Sequence, residues 1–379
     1  MAAPLAGLKV LDLSRILAGP FAGQTLADLG ATVIKVEAPG GDDTRTWGPP
    51  FIERGDDRTA AYFYAANRGK KSVVADFTTP EGQDFVRSLA AEADVILENF
   101  KVGGLAKYGL DYPALSELNP RLVYCSITGF GQDGPYAERA GYDYMIQGMS
   151  GLMSITGTPE GEPQRVGVAV ADLFSGLYAV IGILAALRQR DETGRGQHVD
   201  IALLDCATAM LANQAMNYLA TGTAPGRTGN AHPNIVPYQV FPVADGDVIV
   251  ATGNDAQYRR FCEVVKRPAL ATDPAYATNR DRVTRREALV PLLAEATRAW
   301  RRDDLLAALN GVGVPAGPIN SIAQALDDEQ LRARGLRIRP DGVEGIRSPL
   351  RFSDSALDTS RTAPRLDEHG DEIRENGFG

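Results

Sequence analysis

Between Arg165 and Arg188 the chain reads VGVAVADLFSGLYAVIGILAAL, and Asp172 is its only charged residue. Withdrawing a carboxylate from water costs several kcal/mol unless a partner or hydrogen bonds compensate. Two roles fit such a residue. It can cap the helical run LFSGLYAVIGILAALRQR that follows it, or it can serve as a catalytic carboxylate in an apolar slot. The roles are compatible, because a helix N-terminus also steadies an anion.

Other chemistry is sparse. His198, His232 and His369 are the only histidines, with no i, i+4 pair, so no His-rich metal site is expected. His198 falls in a strand pattern. His232, in the loop GNAHPNIVPYQ, is the better candidate for a site. Cys125, Cys206 and Cys262 are widely spaced without a CxxC, which reads as buried thiols in a reducing compartment. There is no G-x-S-x-G nucleophile elbow. The turn Leu17-Ala18-Gly19-Pro20-Phe21-Ala22-Gly23 follows an apolar strand, and Glu37 stands where a ribose-binding carboxylate would. The G-x-G-x-x-G loop is missing, and Pro20 removes an N–H that would face a pyrophosphate, so a dinucleotide site is disfavoured. The segment GFGQDGPYAERAGYDYMIQGMSG (129–151) gathers Arg139, Tyr142 and Asp143 among glycines that permit close backbone approach.

The elements that must hold these residues alternate at first. LKVLDLS (8–14), TVIKVE (32–37), KSVVADF (71–77), DVILENF (94–100) and RLVYCSIT (121–128) read as strands, and 20–30 and 79–91 as helices. This pattern implies βαβ units and a mostly parallel sheet. Helical stretches follow at 142–152, 173–189 and 203–221, around a strand at 198–204. The grammar then changes to a hairpin, 236–253, joined at Asp245-Gly246, and three helices near 255–265, 283–299 and 303–310. The resulting expectation is a Rossmann-like large α/β domain over 1–224, a small α+β domain over 225–325, and a segment 326–379 returning to the large domain. The apolar run 166–187 has the length of a membrane span. Asp172 and the nearby Gly and Ser favour instead a helix buried on all sides. A formal charge of −9 disfavours nucleic acid as a partner. The N-terminus lacks the pattern of a secretory signal. The expected setting is cytoplasmic, with no membrane partner.

Seven segments together resemble the class III CoA-transferases, the formyl-CoA and carnitine type. They are DLSRILAGPFAGQTLADLGATVIKVEAPGGDDTR (12–45), NRGKKSVVAD (67–76), ADVILENF (93–100), YCSITGFGQDGP (124–135), AGYD (140–143), ADLFSGLYAVIGILAALRQRDETGRGQHVDIALLD (171–205) and GVPAGPIN (313–320). The resemblance spans essentially the whole chain. It implies an interlocked homodimer, coenzyme A as a substrate with no permanently bound cofactor or metal, and Asp172 as the covalent nucleophile. Carried over position by position, it places CoA contacts at Arg15, Leu17, Ala18, Ala75, Asn99, Phe100, Lys101, Lys107, Ala140, Gly141, Tyr142 and Asp143. Arg45 is added as a phosphate or carboxylate partner. For the far carboxylate of a dicarboxylic substrate, Arg45 and His232 are the candidates, with Arg15 behind them.

Two departures narrow the activity. The related α-methylacyl-CoA racemases carry a His base after the Gly of AGxD, where this chain has Tyr142. A phenol with pKa near ~10 does not replace that base at neutral pH. The glycine run of formyl-CoA transferases is replaced by GRTGNAHPNIVPYQ (226–239). With TWGPPF (46–51), that segment looks most like succinyl-CoA-dependent dicarboxylate CoA-transferases. A racemase on the same fold and a non-catalytic CoA-binding subunit are the alternatives. An aspartate of ordinary acidity, near ~3.9, is expected to be ionised at pH 7 without help from a base.

Overall fold

The structure is a computed structural model describing residues 2–379. The chain divides into two compact units. The larger comprises residues up to Leu152, Arg165–Thr221 and Glu329–Gly379; the smaller comprises Met153–Gln164 and Gly222–Asp328.

The larger unit is built on six strands: β1 (Lys9–Asp12), β2 (Thr32–Glu37), β3 (Lys71–Val74), β4 (Val95–Glu98), β5 (Val123–Thr128) and β6 (His198–Ala202). They form one sheet in the order β3-β2-β1-β4-β5-β6, every pairing parallel. Strand side chains alternate between faces, and both faces are covered. On one, Val10, Val33, Leu97, Cys125 and Ile127 pack under α1 (Ala18–Asp28) and a long helix, Val170–Thr193. On the other, Leu11, Ile34, Ile96 and Tyr124 meet α2 (Pro80–Glu92), α3 (Tyr112–Leu118) and, from the end of the chain, Ile373 and Phe378. Thr79 caps α2 by accepting from the Gly82 N–H, with Pro80 at its first position. The strand order reverses between β1 and β4. The ends of those two strands therefore diverge and leave a crevice, the position where open α/β sheets bind ligands.

Next in the chain come α4 (Asp143–Met149), the long helix, now α5 (Val170–Thr193), and then α6 (Leu203–Ala209) and α7 (Ala212–Thr221). The run 203–221, read as one helix, is broken where Ala212 takes φ +42°. Among the described residues, α5 is the one helix long and apolar enough to cross a membrane. It is not buried on all sides, as its composition suggested. Ala171, Ser175, Ala179, Ile183 and Leu187 face the core, whereas Leu177, Tyr178 and Ile181 are exposed. A hairpin absent from the sequence reading, Phe51–Arg54 with Asp57–Ala60, turns at Gly55.

The smaller unit has a hairpin, β7 (Tyr238–Val243) and β8 (Gly246–Ala251), extended by a third antiparallel strand, Ala316–Pro318. Val243 pairs with Gly246, so the turn residues are Ala244 and Asp245, one position earlier than expected. Its core is Phe241, Val248, Val250, Tyr258, Phe261, Leu289, Leu293, Leu305 and Leu309. Residues 153–164, read above as part of the large domain, belong here. The Arg227 guanidinium holds them by donating to the carbonyls of Thr158 and Gly161 at 3.0 and 2.7 Å.

Candidate active site

The crevice begins with an unusual turn. After β1 the chain passes through Ser14, Arg15 and Ile16 before α1 starts, and Ile16 sits at φ +70°. A β-branched residue in the left-handed region costs about 1–3 kcal/mol and persists only where the surroundings impose it. Asp42 accepts the Ile16 N–H at 3.3 Å. Asn99, just past β4, brackets Arg15: its Oδ1 accepts the Arg15 N–H at 2.8 Å and its Nδ2 donates to the Arg15 carbonyl at 2.7 Å. Glu98 accepts the Phe100 N–H at 2.8 Å, and the Arg15 guanidinium lies 5.2 Å from the centre of the Phe100 ring. The ends of β1 and β4 are thus tied together across the crevice.

The opposite wall is built by glycines. A Cβ on Gly129 would lie 2.5 Å from the Gly141 Cα, so the backbones of GFG and AGYD touch. A Cβ on Gly176 would lie 2.6 Å from the Ala18 carbonyl oxygen, so α5 meets α1 backbone to backbone one turn beyond Asp172.

Asp172 lies in the first turn of α5. It is not the cap: the N-cap is Ala169, which makes no side-chain bond. Asp143 does that work from α4. Its buried carboxylate accepts the Ala171 N–H at 2.8 Å and the Gln147 Nε2 at 2.7 Å. Asp172 itself is half-buried and has no hydrogen bond or ion pair among the described residues. Burial, and then the negative charge of Asp143, push its carboxyl up to about 7. The expectation of an ordinary, fully ionised aspartate is therefore corrected.

Asp172 opens into a cleft of about 180 Å³. Of the residues named from the sequence, Arg15, Leu17, Ala18, Asn99, Phe100, Lys101, Ala140, Gly141 and Tyr142 line the same cleft. Thr128, Arg139 and Leu203 also line it and were not assigned. Arg139 lay within the glycine-rich segment already singled out, but nothing in the sequence marked its guanidinium over Phe130 and Tyr136, at 5.1 and 4.4 Å.

Five assignments fall elsewhere. Arg45 is buried and committed: it pairs with Glu37 through two bonds of 2.8 and 2.7 Å, donates to the Pro364 carbonyl and lies 3.7 Å from the Phe63 ring centre. It has no free face for a substrate. Ala75 is buried in the core beside β3. Asp143 is the helix cap just described. Lys107 is exposed beside Tyr108, which packs edge-on to Phe77, and Phe77 to Phe100. That cluster borders a smaller hollow of about 80 Å³ that shares Arg15 and Phe100 with the cleft. His232 belongs to the smaller unit, where its Nδ1 accepts the Asn234 N–H at 3.0 Å and Tyr238 lies 5.1 Å away, centre to centre. Burial, and then Arg286, hold its pKa below the usual range. His198 is paired with Ser126 at 2.8 Å and stacked on Tyr112, as a satisfied polar residue should be.

A doubly wound sheet, with an unpaired carboxylate and the basic residues Arg15, Lys101 and Arg139 lining its switch-point crevice, defines an α/β protein suited to an anionic ligand. The chain belongs to CoA-transferase family III, whose family model matches residues 5–370. The succinate–glutarate CoA-transferase of Agrobacterium fabrum is 56% identical over 374 residues, spanning 97% of this chain and 94% of the relative. The succinyl-CoA:glutarate CoA-transferase of Homo sapiens is 43% identical over 372 residues, spanning 97% and 84%. A crystal structure of a CAIB/BAIF family protein from Brucella suis matches with a TM-score of 0.91 and 60% identity over 99% of both chains.

Proposed function

We propose that this enzyme moves CoA from succinyl-CoA to a dicarboxylic acid of the size of glutarate, with Asp172 as the covalent carrier. The relatives' names support the donor and the acceptor class. The observation that carries the chemistry is an unpaired carboxylate, Asp172, facing a cleft lined by unpartnered backbone donors. The Leu17 and Ala18 N–H groups bond to no described residue, and they are suited to a developing oxyanion.

An Asp172 oxygen attacks the thioester carbonyl; the C–S bond breaks, leaving an aspartyl–succinyl anhydride and CoA thiolate. The thiolate attacks the aspartyl carbonyl, and succinate departs as a carboxylate. The acceptor carboxylate then attacks the aspartyl-CoA thioester, releasing thiolate, which takes the acyl group from the new anhydride and frees Asp172. One negative charge is handed on at every step and no net proton is needed. Binding of the nucleotide end keeps the thiolate in place between steps. The hollow beyond Phe100, lined by Phe77, Arg15 and Lys35 among others, is the candidate for that end.

With Arg45 occupied, Arg139 is the cation assigned to the far carboxylate, and Arg15 and Lys101 to phosphates. A homodimer would cover the exposed apolar side chains of Tyr144, Leu177, Ile181, Met216 and Leu219 on α4, α5 and α7. Three buried free thiols suit a reducing cytoplasm.

The test is to incubate the enzyme with succinyl-CoA, quench with borohydride or hydroxylamine, and locate the mass change. Label on Asp172, with transfer to glutarate abolished in Asp172→Asn, is expected. Full transfer by that variant overturns the proposal.

A further inference from the structure

We infer that Lys70, which touches neither the cleft nor Asp172, is a positioning residue for the reaction: through Asp12, Ser14 and Ile16 it fixes the turn that carries the Leu17 and Ala18 N–H groups. The inference rests on the proposed transfer chemistry.

Lys70 is fully buried and spends all three of its protons. Its Nζ donates to Asp12 at 2.7 Å, to the Pro20 carbonyl at 2.8 Å and to Asn67 Oδ1 at 2.8 Å. One ammonium therefore joins the end of β1 to the first turn of α1. The other Asp12 oxygen accepts both the N–H and the hydroxyl of Ser14. The Ser14 carbonyl accepts from Lys35 Nζ at 2.7 Å, and Lys35 pairs with Asp42 at 2.9 Å, the residue that holds the Ile16 N–H. The chain is thus pinned before, at and after Ile16, and Ile16 keeps a backbone conformation that isoleucine avoids.

The glycines of the LAGPFAG turn leave room for this arrangement. A Cβ on Gly19 would collide with Ser14, and one on Gly23 would lie 2.8 Å from Asp12 and 3.1 Å from Lys70. Gly176 brings α5 against the Ala18 carbonyl, so the pinned turn is also registered against the helix bearing Asp172. A buried ion pair serving stability alone can be replaced by apolar residues at little cost. It would have no reason to hold a strained isoleucine at the mouth of the cleft. Burial would raise the Asp12 carboxyl, but Lys70 and Lys35 hold it below its ordinary range; burial pulls the Lys70 ammonium down to about 8, against the attraction of Asp12, so most of the pair is charged at pH 7.

Two variants test the inference with succinyl-CoA and glutarate. The double replacement Asp12→Asn with Lys70→Met removes both charges together. Ser14→Ala, outside the cleft lining, cuts one bond of the relay from Asp12 to the turn while Lys70 keeps its three partners, so it decides the matter if the double variant does not fold. In folded protein each is expected to lower kcat about 10–100-fold, to slow Asp172 labelling in a single turnover equally, and to leave KM for succinyl-CoA within about twofold. Unchanged kcat in a folded variant, or a rise in KM alone, overturns the positioning role while the wild type still transfers CoA. A wild type that transfers none overturns the transfer chemistry and this role with it.

Discussion

Asp172→Asn should stabilise the protein, and only above acid pH. The native carboxyl titrates near 7 instead of 3.8. A carboxyl raised by folding adds nothing to stability when both states are protonated. As pH climbs past about 4 the unfolded chain ionises first, and the native state loses ground until its own carboxyl ionises near 7. The penalty is then constant, at most about 4 kcal/mol. Because one side of Asp172 is open to solvent, about 2–3 kcal/mol is the working figure. Asparagine removes it. With about 2.1 cal/mol/K per residue over 379 residues, the gain corresponds to a Tm rise of about 3–4 °C at pH 8, against little below pH 4. Scanning calorimetry of both proteins from pH 4 to 8 measures it. A gain equal at both ends, or none at pH 8, would refute the claim that burial and Asp143 strain this carboxylate, whatever the variant does to activity.

Three further outcomes follow from the same geometry. The wild-type kcat/KM should fall as pH drops through about 7, as Asp172 takes up its proton; Asp143→Asn removes the neighbouring charge and should move that limb to lower pH, a shift read from the pH–rate profile. Gly176→Ala puts a methyl 2.6 Å from the Ala18 carbonyl and should cost about 1–3 kcal/mol in urea unfolding, with a fall in kcat as α1 and α5 move apart. Arg45→Met strands Glu37 in the interior and should cost about 3–5 kcal/mol, while KM for glutarate in the folded fraction stays at the wild-type value.

The readings that succeeded were local. TVIKVE is β2 to the residue because its ends are marked by Gly30 on one side and Pro39-Gly40 on the other. Asp172 stood out because a charge in an apolar run is visible in a window of twenty residues. The readings that failed needed partners far away in sequence. Arg45 looked free because Glu37 also reads as the end of a strand, and because Pro364, its other acceptor, returns from 319 residues downstream. Asp143 looked like a ligand contact because nothing in AGYD reveals that the α5 N-terminus will dock on it. The exposure of Ile181 was hidden because apolar composition says a face is covered without saying by what. The raised pKa of Asp172 comes first from burial, which the apolar run suggests, and then from Asp143, 28 residues from the amide that it caps, which no local pattern reveals.

In the proposed mechanism it matters that Asp172 forms no ion pair among the described residues, although Arg15, Lys101 and Arg139 line the same cleft. An arginine within hydrogen-bonding distance would stabilise the free carboxylate and would have to be released before the thioester could be attacked, deepening the ground state. The enzyme leaves the charge half-buried, next to another carboxylate, and lines the adjoining turn with neutral N–H donors. In the proposed transfer, acylation would convert Asp172 to an uncharged anhydride or thioester, for which an apolar slot is a better solvent than it is for the anion. The energy that Asp172→Asn would recover at rest is thus the energy that covalent capture releases in turnover. Replacing Leu173 or Phe174 by lysine should therefore lower the Asp172 pKa and slow its labelling together, and a variant that did the first without the second would break the link between strain and reactivity.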